Sequence, residues 1–159
     1  MTVRQATEKD AGAVAEIWNH YIRNTAATFN AEEKTKAGVA ALIAGRPAFF
    51  VVPDQGPVAG FATYGPFRNG VGYARTVEHT IMLAPGASGQ GYGRALMAAV
   101  EDHARAGGAH SVFAGVSAEN PAGRAFHARL GYAEAAVLPQ VGWKFGRWMD
   151  LVLMQKFLA

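Results

Sequence analysis

Leu83-Ala84-Pro85-Gly86-Ala87-Ser88-Gly89-Gln90-Gly91-Tyr92-Gly93-Arg94 is the stretch on which the fold turns. An apolar run ends at Leu83, Pro85 and Gly86 break it, and an amphipathic helix begins near Arg94. Leu96, Val100 and Ala104 recur at i, i+4 and i+8 along that helix, which Gly107-Gly108 ends. A strand, a glycine-rich turn and a helix start in this order aim free backbone N–H groups and the positive end of a helix dipole at one point. Gly89, Gly91 and Gly93 alternate there, so the backbone can approach an anion without side-chain interference. A tight turn with no ligand is the competing reading, and the alternation favours the anion site. A P-loop needs a Lys that this segment lacks, and a dinucleotide fingerprint needs a third Gly where Arg94 stands.

Upstream, residues 73–83 read as the longest strand. Alternation puts Val77, His79, Ile81 and Leu83 on one face and Thr76, Glu78, Thr80 and Met82 on the other. Residues 48–52 and 58–64 are apolar runs joined by Pro53-Asp54-Gln55-Gly56-Pro57, a hairpin, and residues 68–72 form another turn. Nearer the start, residues 3–6 read as a short strand. Thr7 and Asp10 suggest an acidic capping box ahead of a helix with Val14, Ile17, Trp18 and Tyr21 on its apolar face. A weaker helix covers 34–44, beyond an irregular stretch over 25–33. Downstream, 111–116 is a strand, and Asn120-Pro121 opens a helix with a capping Asn and Pro at its first position. Phe126 and Leu130 pack one face of that helix, and Gly131 suits its end. Residues 132–138 and 149–158 are the last strands. Strands and helices in mixed order around one sheet make the class α/β or α+β.

The 159 residues are 50% hydrophobic, which suits one domain over 1–159 with a substantial core. A net charge of +3 with no Lys/Arg cluster gives no nucleic-acid groove. No apolar stretch is long enough to span a bilayer, and residues 1–10 lack the apolar centre of a signal peptide, so the expectation is no membrane and a cytoplasmic location. The absence of cysteine excludes disulfides, Cys-ligated zinc and a thiol nucleophile, and no metal is expected.

The glycine-rich segment resembles the coenzyme A loop of GNAT acetyltransferases, Gln/Arg-x-x-Gly-x-Gly/Ala, with Gly91 and Gly93 matching and Ser88 standing at the first position. Thr76-Val77-Glu78-His79-Thr80, Asn120 with Phe126-His127 and Leu130-Gly131-Tyr132, and Gly146-Arg147-Trp148-Met149-Asp150 are similar to the phosphinothricin and methionine sulfoximine N-acetyltransferase branch. Tyr21, Thr28-Phe29 and Tyr64-Gly65-Pro66-Phe67-Arg68 are similar to its earlier signatures, so the likeness spans nearly the whole chain. It implies a GNAT-like α+β (three-layer α/β) fold, with a mixed, mostly antiparallel sheet flanked by helices. It also implies acetyl-CoA as co-substrate, a small amino-acid-like amine as acceptor, and a homodimer.

Transfer of an acetyl group to an amine needs a neutral amine and donors for the tetrahedral oxyanion, but no covalent nucleophile. Glu78, on the polar face of the long strand, is the candidate base; the alternative is a solvated strand carboxylate. His79 reads as a core histidine. The resemblance gives His127 the position of an acid for the leaving thiolate, where a His could also act on the amine, against a half-buried structural histidine. It also implies cofactor contacts from the strand at Ile81, Met82 and Leu83, from the loop at Gly89, Gln90, Gly91, Tyr92, Gly93 and Arg94, and from Asn120. Ile81 and Leu83 are expected to pair with the pantetheine like an extra strand, and Gln90 to substitute in part for the missing polar residue at Ser88. Phe29, Arg68, Tyr73 and Arg75 are candidates for the substrate, since a guanidinium fork suits a carboxylate or phosphinate. Several relatives carry Arg where this chain has Ala74. Lys144, Arg147 and Trp148 read as a far wall of the site or a dimer contact, or else as an exposed turn and sheet edge. Two rival functions stand beside this one: a peptide or protein N-terminal acetyltransferase, and a non-catalytic acyl-CoA-binding module.

Overall fold

The structure, a computed structural model, describes residues 3–158; Met1, Thr2 and Ala159, the ends of the expected domain, lie outside the described residues. Seven strands form one sheet: β1 (Arg4–Gln5), β2 (Ala48–Val52), β3 (Gly60–Pro66), β4 (Thr76–Leu83), β5 (Ser111–Ser117), β6 (Ala133–Lys144) and β7 (Arg147–Phe157). Their order is β1-β2-β3-β4-β5-β7-β6. All neighbours are antiparallel except β4 and β5, which are parallel and joined through a helix.

Both faces of the sheet are covered, which is why β2 is buried at every residue. On one face lie α1 (Ala11–Asn24) and α2 (Lys36–Gly45). The stripe Val14, Ile17, Trp18 and Ile22 packs on Phe49, Val51 and Phe61, with the Trp18 and Phe61 rings 5.0 Å apart. On the other lies α3 (Tyr92–Ala106), whose Leu96, Met97, Val100 and Ala104 meet Phe50, Val52, Ala62 and Tyr64. α4 (Pro121–Arg129) follows β5. The expected three-layer arrangement of a mixed, mostly antiparallel sheet between helices is the one observed.

Three of the boundary differences have a clear local reason. β3 starts at Gly60, because Ala59 N–H closes the preceding loop onto Val52 O at 2.7 Å. β4 starts at Thr76 instead of residue 73. Residues 71–73 wind into a 3₁₀ turn held by Tyr73 N–H to Gly70 O (3.1 Å) and Ala74 N–H to Val71 O (3.2 Å). Tyr73 and Arg75 are therefore not strand residues. β6 runs on to Lys144, past Pro139: it is an edge strand, where Pro is tolerated, and Asp150 Oδ1 accepts the Gln140 N–H (2.8 Å) at its register shift. Phe145 (φ 55°) and Gly146 (φ 73°) then make the two-residue turn into β7.

Candidate active site

β4 and β5 are paired only from Thr76–Ser111 to His79–Ala114. Beyond that, β4 stays with β3 as far as Leu83 and β5 stays with β7 as far as Ser117, so the two parallel strands part. Ala84 N–H bonds to Ala59 O, and Phe67 N–H bonds to Thr76 O. By the parity of an antiparallel ladder, even-numbered residues of β4 address β3, and Ile81 and Leu83 turn their N–H and C=O groups into the opening. Met82 turns its backbone to β3 and its side chain to the α1 side. Leu83 O already accepts the Tyr21 hydroxyl at 2.5 Å, which fixes α1 against the cavity. The opening is a cavity of about 720 Å³, reached by β4, β5, the starts of α3 and α4, α1 and residues 25–30.

At its mouth, Gly86, Gly89 and Gly91 have φ of 84°, 81° and 82°, the left-handed region that disfavours any side chain. A Cβ on Gly89 or Gly91 meets nothing within 4 Å, so the backbone there is open to a ligand. Gly91 caps α3 without a side-chain acceptor, which leaves first-turn N–H groups uncapped among the described residues. Gly93 serves packing: a Cβ there would lie 2.9 Å from the Phe126 ring of α4. These features fit a pyrophosphate at the helix start and an extended arm in the opening. Gln90, Tyr92 and Arg94 belong to this loop and first turn, while Ser88 and Gly93 line the cavity itself. Asn120 Oδ1 caps α4 by accepting Gly123 N–H at 2.9 Å, and the residue also borders the cavity.

Glu78 reaches the cavity from β4. Its Oε2 lies 3.1 Å from where a Cβ of Gly115 would be, so the glycine of β5 makes room for the carboxyl. Burial pushes the Glu78 carboxyl above its ordinary range, and the Arg46 guanidinium partly opposes this. Arg46 lies across Gly65, the β3 partner of Glu78. Sequence reading missed Arg46, because only the folding of β2 on β3 and β4 brings the end of α2 beside this carboxylate.

On the opposite face of β4, buried His79 stacks on His127 of α4, their Nε2 atoms 3.0 Å apart. His127 Nδ1 lies 2.7 Å from Gly123 O, a place for its N–H, so its Nε2 accepts from His79 Nε2–H. His79 Nδ1 is then the bare nitrogen, and it is buried without a partner among the described residues. Burial lowers the pKa of both rings, that of His79 to about 3 with His127 adding to the fall, while the Gly123 carbonyl and Glu101 partly oppose the shift of His127.

Among the substrate candidates, Phe29 lines the cavity. Arg68, Tyr73 and Arg75 do not: they stand on the exposed turn ahead of β4, the Arg68 guanidinium 5.6 Å from the Tyr73 ring centre. Lys144, left open between wall and exposed turn by the sequence, is buried. Among the described residues no group of His, Asp and Glu is arranged to hold a metal ion, and no helix is long and apolar enough to cross a membrane.

The Acetyltransferase (GNAT) family matches over residues 13–132. The L-amino acid N-acyltransferase MnaT of Escherichia coli is 39% identical over 98% of this chain and 92% of its own length. The L-methionine sulfoximine/L-methionine sulfone acetyltransferase of Salmonella typhimurium is 38% identical over 98% and 93%. The structure of a GNAT phosphinothricin acetyltransferase from Sinorhizobium meliloti in complex with acetyl-CoA superposes with a TM-score of 0.93 at 30% identity, covering 99% of this chain and 88% of that one. With the parted strands, the glycine cradle and these likenesses together, the chain belongs to the GNAT acetyltransferase family and is an acetyltransferase that uses acetyl-CoA as co-substrate.

Proposed function

We propose that this enzyme acetylates the free amine of a small amino acid of the methionine sulfoximine or phosphinothricin type, with Glu78 as general base. The observation that carries the reading is Glu78 itself: a half-buried carboxyl with a raised pKa, lining the cavity where the strands part. The amine nitrogen attacks the thioester carbonyl, the C–N bond forms, the C–S bond breaks, and the proton on nitrogen passes to Glu78. The backbone N–H groups of Ile81 and Leu83 face the reacting end and supply donors for the oxyanion and the pantetheine. The loop from Gly89 to Arg94 and Asn120 hold the rest of the co-substrate.

His127 borders the same cavity. Acting as the acid for the thiolate needs a charged imidazole, and burial lowers the His127 pKa, which disfavours that form. We therefore assign it to shaping the wall, with the sulfur taking its proton from solvent. Phe29 is assigned to the substrate side; Arg68, Tyr73 and Arg75 do not line the cavity, and a part for them in recognising the acid rests on guanidinium chemistry alone. One domain over 1–159, a cytoplasmic location, where acetyl-CoA is at hand, and a homodimer complete the reading. The dimer is supported by an exposed apolar row on the β6–β7 hairpin, with Trp143, Phe145 and Trp148 each 56% exposed.

A panel following thiol release from acetyl-CoA tests the reading. Methionine sulfoximine and phosphinothricin are expected to be turned over, and a peptide with a free N-terminus to react at least about tenfold more slowly, since discrimination of that size needs only about 1.4 kcal/mol. Faster turnover of the peptide would move the enzyme to the protein-directed class. Binding of acetyl-CoA with no acceptor used would make it a non-catalytic module. Sedimentation as a monomer at micromolar concentration would remove the dimer.

A further inference from the structure

Residues 25–30 form one wall of the cavity but belong to neither helix nor strand. Their internal ties are short side-chain turns: Ala27 N–H to Thr25 Oγ1 (3.2 Å) and Asn30 N–H to Thr28 Oγ1 (3.3 Å). What fastens them to the sheet is the edge strand β6. Lys144 is 3% exposed, and its ammonium donates to Thr25 O at 2.7 Å and Thr28 O at 2.8 Å. Tyr21 O, in the last turn of α1, lies within 3.5 Å of the same nitrogen. The three donors of one ammonium thus face three carbonyls, at the negative end of a helix dipole.

Two residues earlier on the same face of β6 is Gly142. A Cβ there would lie 2.3 Å from Phe29 Cδ2, 2.5 Å from Cγ and 2.6 Å from Cε2, so the Phe29 ring is seated flat on the glycine. Gly142 and Lys144 are the two buried positions of a strand that is exposed elsewhere except at half-buried Leu138, and residues 25–30 cover them. The ammonium sets the height of the segment, and the glycine sets the place of the one aromatic ring in it.

We infer that Lys144 is a positioning residue for amine selection: together with Gly142 it holds Phe29 and residues 25–30 as the substrate-side wall of the cavity. This rests on the reading that the cavity takes a small amino acid. The co-substrate cradle lies across the cavity on α3 and does not touch Lys144, so loss of the tie separates the two ligands. In Lys144→Met, the apolar stem remains and the three hydrogen bonds go.

The expected result for Lys144→Met is a KM for methionine sulfoximine raised by about tenfold or more, the scale of one lost charge-assisted contact. Acetyl-CoA affinity by calorimetry stays within about twofold of wild type, since binding free of the lost contact is unchanged. Hydrogen exchange should rise in residues 25–30 and not in β4 or α3, a readout that needs no acceptor and is independent of whether the substrate class is right. Gly142→Ala keeps the ammonium and displaces only the ring, and it is expected to raise the same KM; if Lys144→Met fails to fold, this variant alone decides. An unchanged KM in the folded variants, or an equal loss of acetyl-CoA affinity, overturns the inference. Failure of wild type to use any amino acid counts against the substrate reading, while unaltered exchange in residues 25–30 of Lys144→Met counts against the tie.

Discussion

Glu78 was legible as a candidate because strand alternation alone sets it opposite His79, and the structure keeps that division of faces. Its environment was not legible, since Gly115 and Arg46 come from β5 and from the end of α2. Replacing the base by its isosteric amide, Glu78→Gln, is expected to lower kcat by about 10²-fold or more. His127→Gln, in the wall, should lower it by less than about tenfold. The active form of Glu78 is the carboxylate, so its raised pKa puts the acid limb of kcat/KM above the ordinary glutamate range of about 4.3. Arg46 holds that limb down, and Arg46→Gln should move it further up in pH; a limb that stays where it was would show that Arg46 does not act on this carboxyl.

At the scale of elements, α3 and α4 each begin at the cavity, but their starts differ in kind. α4 is capped by Asn120, and Asn120→Ala should cost about 1 kcal/mol of stability in urea titrations as the capping bond is lost. α3 begins at Gly91 with no side-chain cap, so its first N–H groups are free for an anion. Gly91→Asp strains a left-handed backbone and adds a like charge, and calorimetry should find acetyl-CoA binding at least about tenfold weaker, more than 1.4 kcal/mol. Unchanged affinity would place the pyrophosphate elsewhere. The strand-loop-helix unit was readable because its glycines and apolar spacing are local signals. The start of β4 was not, because the 3₁₀ turn at 71–73 competes with an equally apolar strand pattern.

Across the whole molecule, the two faces of the sheet hold separate cores, and the buried histidine pair belongs to the α3–α4 side. Both rings have folded-state pKa values below that of an unfolded histidine, about 6.5. The unfolded chain therefore binds more protons below that pH, and the stability contributed by the neutral pair is present above about 6.5 and lost as pH falls toward 3. The melting temperature should drop between pH 7 and pH 5, and a His79→Phe variant should show a shallower drop. Asp10, held low by its hydrogen bonds to Arg4, loses its contribution only below the ordinary carboxylate range of about 4, so the two effects separate along the pH axis. Equal pH slopes for the two proteins would show that the histidines do not govern acid stability.

The sequence by itself determined what depends on neighbours along the chain: the amphipathic faces of α1 and α3, the glycine cradle after Leu83, the Asn120 cap and the face on which Glu78 stands. It also carried the family, because the signatures recur in order from Tyr21 to Asp150. Only the tertiary structure decided which residues meet across the sheet. The parting of β4 from β5 beyond His79, the pairing of His79 with His127, Arg46 over Gly65, and Lys144 beneath residues 25–30 all join segments far apart in sequence. Periodicity assigns a side chain to a face. Which partner that face receives is set by strand order and register, and these are fixed when both cores close at once.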